Sequence, residues 1–545
     1  MSKPHESITA TGESFLSDKN DVLESDEIIV PLGLDALQPS FNLKEALSAK
    51  GVELQGDVAL SPEQRKSLQA PVDWTQGRKA AVLAAPFVAG LLAAYSAGSY
   101  SLASEQLRDL WDVSYTEYNI GITIFVSGFA FAPVIMAPVS EAHGRYGVFV
   151  GAGVVFFLGT LGCALTPSYA GMLVSRFVTG TGASIYATLT GGVVSDLYDK
   201  EDRNTPMTLY SLNIIIGTGL GPLVSGLLVT YIGWRWIFYL QLILIGLTTL
   251  AIALFFSETR SNVVLRRKCA ALNSLYSTSD EAGLKQEALA ASNLSRGRTT
   301  VFFQPEGEKP KFNVATVLRS FTFPLKLLTT EPIVFWFSAW VSFAWAILYL
   351  QFVSIGIVFR DVYDFNSAQV GAVYTAVVVG SVFSALACSM QDIFFRKRMP
   401  VRMATPEGRL LSSCLLSILL PAGLFIFGWT ANPRISWVVP TIAIGFCTVG
   451  IFSIYLAVFN YIADTYQRYS SSAQAAQSMC RNLLAGIFPL IGDVILRNLG
   501  YGGAGSLLGA LGLLLTGIPW LLLCFGERIR ARSSFAGSLA AIEVK

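Results

Sequence analysis

Charge is scarce in this chain. Acidic and basic residues together make up 14% of 545 residues and nearly cancel, leaving a formal net charge of +2. Soluble domains carry roughly a quarter, and no basic excess is available for a nucleic-acid partner. Histidine is rarer still, at two residues, which excludes a histidine-built metal site. The seven cysteines (Cys163, Cys269, Cys388, Cys414, Cys447, Cys480, Cys524) never take a CxxC spacing, and most lie in apolar runs. There cysteine acts as a small hydrophobe, so neither a disulfide framework nor a metal cluster is expected. No nucleophile–base set and no phosphate-cradling loop is recognisable, so an enzyme and a bound cofactor are not expected. One shortage is local: no carboxylate stands in the middle of an apolar run. Glu105 falls at the end of the first run, and Asp493 falls late in the eleventh, four residues before Arg497.

Apolar surface is plentiful. Hydrophobic residues reach 52%, and there are 48 glycines. Runs long enough to cross ~30 Å of hydrocarbon occur at 79–100, 118–138, 148–166, 170–192, 208–231 and 235–256, then at 333–354, 369–390, 410–429, 435–462, 473–496 and 505–526. Backbone groups in lipid must be satisfied within their own segment, so each run is predicted to be a helix. The fold class is therefore an all-α membrane protein: twelve spans in two bundles, 79–256 and 333–526, around a cytoplasmic loop 257–332. Residues 1–78 are polar, hold no apolar segment of signal-peptide length and read as a disordered cytoplasmic tail. Residues 527–545 form a second cytoplasmic tail.

Basic residues set the orientation. Arg145, Lys200, Arg203, Arg396, Lys397, Arg398, Arg402 and Arg468 fall on one set of short loops, while the opposite loops hold at most one each, such as Arg108, Arg360 or Arg434. Both termini are thus expected in the cytoplasm. The sequon at Asn293 then lies on the cytoplasmic side and stays unglycosylated.

The halves repeat one another. Glu141 and Arg145 match Asp392 and Arg396, and Asp196 matches Asp464, about 268 residues on. Pro222 matches Pro489, and Glu258 matches Glu527. Four matches in one order on corresponding spans indicate duplicated bundles, with a substrate site between them near the midplane.

Span 5 carries Gly217, Gly221 and Ser225 at four-residue intervals, with Pro222 and Gly226 beside them. The stripe permits close helix approach and is expected to face a helix of the opposite half, and Pro222 removes a backbone bond to Thr218. This GxxxGPxxxG run resembles the antiporter motif of drug:proton antiporters in the major facilitator superfamily, with Ser225 where that motif usually has a glycine. Glu141 to Arg145 resembles the superfamily's motif in the loop between spans 2 and 3, although Ala137, Ala142 and Tyr146 depart from it. Arg176 to Gly180 is similar to the RxxxG motif linked to proton coupling. Trp234-Arg235-Trp236, Glu258-Thr259-Arg260, Pro406-Glu407-Gly408-Arg409-Leu410 and Ser471-Ser472-Ala473 with Arg481 are similar to fungal members.

The resemblance implies a monomeric twelve-span transporter that exports small organic molecules (drugs, toxins or secondary metabolites) in exchange for protons. It implies the plasma membrane, with the vacuolar membrane as the alternative. An importer or facilitator of polyamines or organic acids, or a non-transporting sensor, remains open at this point. Arg176, Gly217, Gly221, Pro222 and Gly226 are the residues assigned to coupling and conformational change. Snorkelling to the near surface is the other reading of Arg176. Glu141, Arg145, Asp196, Arg203, Glu258, Asp392, Arg396 and Asp464 are expected to form a charge network, with Arg260 alongside. Tyr210, Asn213, Trp345, Tyr349, Gln351 and Asn460 are candidates for lining the cavity. That aromatic content suits an amphipathic or cationic substrate.

Overall fold

The computed structural model describes residues 27–32, 34–37, 69–199, 202–281, 300–305, 314–403, 405–466 and 470–532. Lys200, Arg468, Asn293, most of the 1–78 tail and the end of the 527–545 tail lie outside the described residues. The chain divides into two compact units, Met1–Leu68 with Leu265–Gly307, and Gln69–Val264 with Glu308–Lys545.

In the first unit, β1 (Glu27–Leu32) pairs in parallel with β2 (Thr300–Pro305), Ile28 opposite Val301 and Val30 opposite Phe303. Asn273 fixes the second strand, accepting from the Phe303 amide at 2.7 Å and donating to its carbonyl at 3.0 Å. The stretch read as a featureless tail therefore contributes a strand. Its β-branched run Ile28-Ile29-Val30 favours extension, but the partner lies far beyond any local pattern. The central loop likewise contributes helices, Ser261–Glu281 and Val314–Thr330.

In the second unit every apolar run is helical. Spans 1 to 6 are Gln76–Ser99, Tyr115–His143, Arg145–Leu165, Tyr169–Leu197, Asn204–Tyr231 and Arg235–Phe255. Span 7 is Pro332–Tyr363, span 8 is Ser367–Val373 continued by Thr375–Arg398, and span 10 is Val438–Tyr466. Span 9 runs through Pro406–Leu410, Leu411–Leu416 and Leu419–Thr430. Ser470–Arg532 holds spans 11 and 12, which meet at Gly500, whose φ of 67° and ψ of 169° interrupt the helix. Among the described residues, ten helices are long and apolar enough to cross a membrane, with Ala473–Arg530 counted as one. Span 4 is not among the ten, because Arg176 and its Ser, Thr and Gly residues lower its hydropathy.

Span 7 is the innermost element: its apolar window is fully buried, against 33% for span 6. The two halves meet along two seams that are images of each other under the repeat, span 2 against span 11 and span 5 against span 8. On the first seam Thr123 Oγ1 donates to the Gly486 carbonyl at 2.7 Å, Asn119 Nδ2 to Pro489 at 3.3 Å, and Asn482 Nδ2 to Phe129 at 3.2 Å. On the second, a Cβ on Gly226 would stand 2.5 Å from the Ser367 carbonyl and 3.0 Å from Gly371 Cα.

Candidate functional site: a chamber between two bundles

The span-5 motif works as a seam with two faces. A Cβ at Gly217 would lie 2.5 Å from the Leu91 carbonyl, and one at Gly221 would lie 2.4 Å from the Tyr95 carbonyl. Both neighbours belong to span 1, so the stripe packs within its own bundle and not against the opposite half as expected from sequence. Ser225 is buried on this helix and donates to the Gly221 carbonyl at 2.7 Å. Gly226 and Gly219 form the face that meets span 8 in the other half, Gly219 against Val377. Pro222 leaves the Thr218 carbonyl without its helical donor, and Gly98 approaches that carbonyl so closely that a Cβ there would sit 2.9 Å away. Backbone freed by proline is thus covered by backbone, as apolar surroundings require.

Arg176 does not snorkel. It is 1% exposed, donates from Nε to the Gly121 carbonyl at 3.3 Å and from Nη1 to the Ser96 carbonyl at 3.0 Å. Its guanidinium lies over Tyr100 at 4.5 Å and Phe125 at 4.3 Å. Gln241, on span 6, ties the same patch together, accepting from Ser96 Oγ and donating to Ser99 Oγ at 2.8 Å. Gln241 was not among the residues expected from sequence, although a glutamine deep in an apolar run is itself a signal.

A second guanidinium faces the first half from span 11. Arg481 lies over Trp345 at 4.7 Å, Tyr455 at 5.1 Å and Phe459 at 5.7 Å. Trp345 and Tyr455 stack, with centroids 5.1 Å apart. The Tyr349 hydroxyl is within electrostatic reach of both Arg481 and Arg176, and Tyr210 is within reach of Arg481. Trp345, Tyr349 and Tyr210 therefore converge between the bundles, with Tyr210 also donating to the Ala187 carbonyl. The other three candidates lie elsewhere. Asn213 Nδ2 donates to the Phe87 carbonyl within the first bundle. Gln351 points into a small cavity inside the second bundle, beside Leu424, Cys447 and Leu508. Asn460 sits at the basic end of the molecule, donating to Asn204 Oδ1 at 3.3 Å. Sequence position gives depth along a span but not the face, which is why half the set misses the chamber.

The loop charges sort into two clusters. Arg145 pairs with Asp196 at 3.1 Å, and Asp196 also takes Arg260 at 3.1 Å. The Glu258 carboxylate accepts from the backbone amides of Arg145 at 2.9 Å, Tyr146 at 3.2 Å and Arg260 at 2.9 Å. An anion at the first amides of span 3 is favoured by the helix dipole. Glu141 takes no part in these bonds. The helix breaks at Gly144, with φ of 103°, so Glu141 and Arg145 do not share a helix face. Arg203 reaches the Tyr198 carbonyl at 3.3 Å. In the second half Asp392 and Arg396 do pair, at 2.9 Å, because the helix runs unbroken through both. Asp464 is half-buried at the end of span 10. The counterpart of the Glu258 contact is a side-chain ion pair: Glu407, at the start of span 9, accepts from Nη2 of Arg530, at the end of the span-12 helix, at 3.0 Å. Glu527, matched to Glu258 by sequence, is exposed.

Bonds cross between the halves at both ends of the molecule. At the basic end Asn204 Nδ2 donates to Asp392 Oδ2 at 3.0 Å, and Asn460 joins the same group. At the other end Arg360 pairs with Glu105 at 3.2 Å and donates to Ser104 Oγ at 3.3 Å. The chamber is closed on both sides.

These duplicated bundles, closed around a polar midplane, define a transporter fold. The model of the Major Facilitator Superfamily matches residues 86–489, and the chain belongs to that family. It is 29% identical over 485 residues to "Efflux pump FUB11" of Gibberella moniliformis, covering 88% of this chain and 78% of the relative. It is 31% identical over 418 residues to "Efflux pump atB" of Aspergillus terreus, covering 75% and 83%. Its fold is similar to that of the xylose transporter XylE from E. coli, with a TM-score of 0.56 at 14% identity, over 81% of this chain and 98% of that one. The chain is a multi-pass membrane transporter.

Proposed function

We propose that this protein exports small organic molecules across the plasma membrane in exchange for protons, as a monomer with both termini in the cytoplasm. The observation that carries the reading is the pairing of a buried, aromatic-flanked Arg176 with the proline-opened seam of span 5 in one bundle. The names of the fungal relatives support the outward direction. In this reading substrate enters from the cytoplasm once the Asn204–Asp392–Asn460 group parts. It leaves once Arg360 releases Glu105, the halves rocking along the glycine seams. In this reading Arg176, which bonds two backbone carbonyls of spans 1 and 2, links the proton gradient to the movement of the first bundle.

A second reading has its own observation. No mid-span carboxylate lines the chamber, and Asp493 is held by Arg497 at 2.7 Å. A facilitator needs no proton carrier. Everted plasma-membrane vesicles with an imposed pH gradient separate the two. Exchange predicts uptake that a protonophore abolishes, and Arg176→Ala that loses the gradient response while still binding substrate. Uptake indifferent to the protonophore would establish a facilitator.

A further inference from the structure

Between the bundles lies a positive charge that no carboxylate among the described residues neutralises. Arg481 is 2% exposed. Among the described residues its guanidinium has one hydrogen bond, from Nη2 to Ser478 Oγ at 3.3 Å, while Nε and Nη1 have no partner. Carboxylates at the ends of the spans pair with other cations: Glu105 with Arg360, Asp493 with Arg497, Asp392 with Arg396, Glu407 with Arg530 and Asp196 with Arg145. A buried ion without a counter-ion is unfavourable, and so is a buried donor without an acceptor. The faces of Trp345, Tyr455 and Phe459 offset part of that cost through cation–π attraction, yet they leave the N–H donors unmet. Arg176, on span 4, is a second buried guanidinium, and its Nη2 likewise has no partner among the described residues.

We propose that Arg481 and its aromatic wall form the recognition site for the carboxylate of an aromatic organic anion, which is the substrate class this transporter carries. This rests on the transport reading above. The carboxylate supplies acceptors to Nε and Nη1, and the ring system lies against Trp345, Tyr455 and Phe459. The charge-assisted bonds are the strong kind. A cationic substrate meets two guanidinium groups and is repelled by both. Of the amphipathic or cationic substrates expected from sequence, the proposal keeps the amphipathic class and gives it a negative charge.

The test uses the purified full chain in detergent and three probes of one shape: 2-naphthoate, 2-naphthamide and 2-naphthylmethylammonium, with binding read by isothermal titration calorimetry. The expected result is that naphthoate binds at least tenfold tighter than the amide or the cation. Arg481→Met removes that preference, and Arg481→Lys retains part of it. Equal binding of the three probes to the unsubstituted protein, or no naphthoate binding, overturns the proposal without reference to any variant. Naphthoate binding unchanged in both Arg481 variants overturns it as well. No gradient enters the measurement, so a carboxylate preference without proton-driven export would retire the exchange reading and keep this one. Proton-driven export confined to cations or neutral compounds would do the reverse.

Discussion

Arg145 bonds Asp196 across 51 residues of sequence, Nε to Oδ2 at 3.1 Å, with both side chains almost wholly enclosed. Asp196 thereby joins span 4 to span 3, and through Arg260 to the end of span 6. Removing one partner from a buried pair strands the other charge, at a cost of about 3 kcal/mol. Asp196→Asn is expected to lower stability by about that much, read from SDS unfolding of the purified protein. Glu141→Gln, outside the cluster, is expected to leave the same curve unmoved. Equal effects from the two would return Glu141 to the network.

The glycines divide by the space around them. Gly221→Ala puts a methyl group 2.4 Å from the Tyr95 carbonyl, which cannot yield without moving span 1. Overpacking of this kind costs about 1–3 kcal/mol. Gly151→Ala meets nothing within 4 Å and exchanges a poor helix former for the best one, a gain of up to about 1 kcal/mol. Melting of the two variants in detergent should shift in opposite directions. A stable Gly221→Ala would mean that spans 1 and 5 do not pack as described.

Pro222→Ala restores an amide that can bond Thr218, so it is expected to be no less stable than the parent. Its defect should lie in the rate of switching, read as slower exchange of a bound probe. Normal exchange kinetics would show that the opened carbonyl plays no mechanical part.

Asn204 closes the basic end by two bonds, to Asp392 and from Asn460. Cys388 is buried and lines the small cavity beside them. Asn204→Ala is expected to raise maleimide labelling of Cys388 several-fold, measured by mass spectrometry of the peptide. Arg360→Gln, at the other end, is expected to leave it unchanged or lower it. Labelling insensitive to Asn204 would locate the closure elsewhere.

Much of this was legible in the sequence because a bilayer imposes lengths. Runs sized to hydrocarbon thickness became helices almost residue for residue, and the duplicated acids and prolines placed the halves. Arg176 was legible through its resemblance to the RxxxG motif, and its burial removes the snorkelling alternative. Partnership was not. The spacing of Glu141 and Arg145 equals that of Asp392 and Arg396, yet only the second pair forms, because Gly144 breaks the first helix. The span-5 stripe announced a close approach, but its spacing carries no direction: the opposite half was expected and span 1 of the same bundle supplies the partner. Arg481 escaped as a site because its cage is drawn from spans 7 and 10, and no linear pattern joins Trp345, Tyr455 and Phe459.

One joint has mechanical consequences. Spans 11 and 12 are linked by a single non-helical residue, Gly500, with no slack on either side. Two stiff rods sharing one short elbow cannot slide independently, so a displacement of span 11 at Arg481 is delivered to the far end of span 12. There Arg530 grips Glu407 at the start of span 9. The elbow makes the hairpin a lever running from the chamber to the basic face. Lengthening it with a few flexible residues would leave both grips intact and disconnect one from the other.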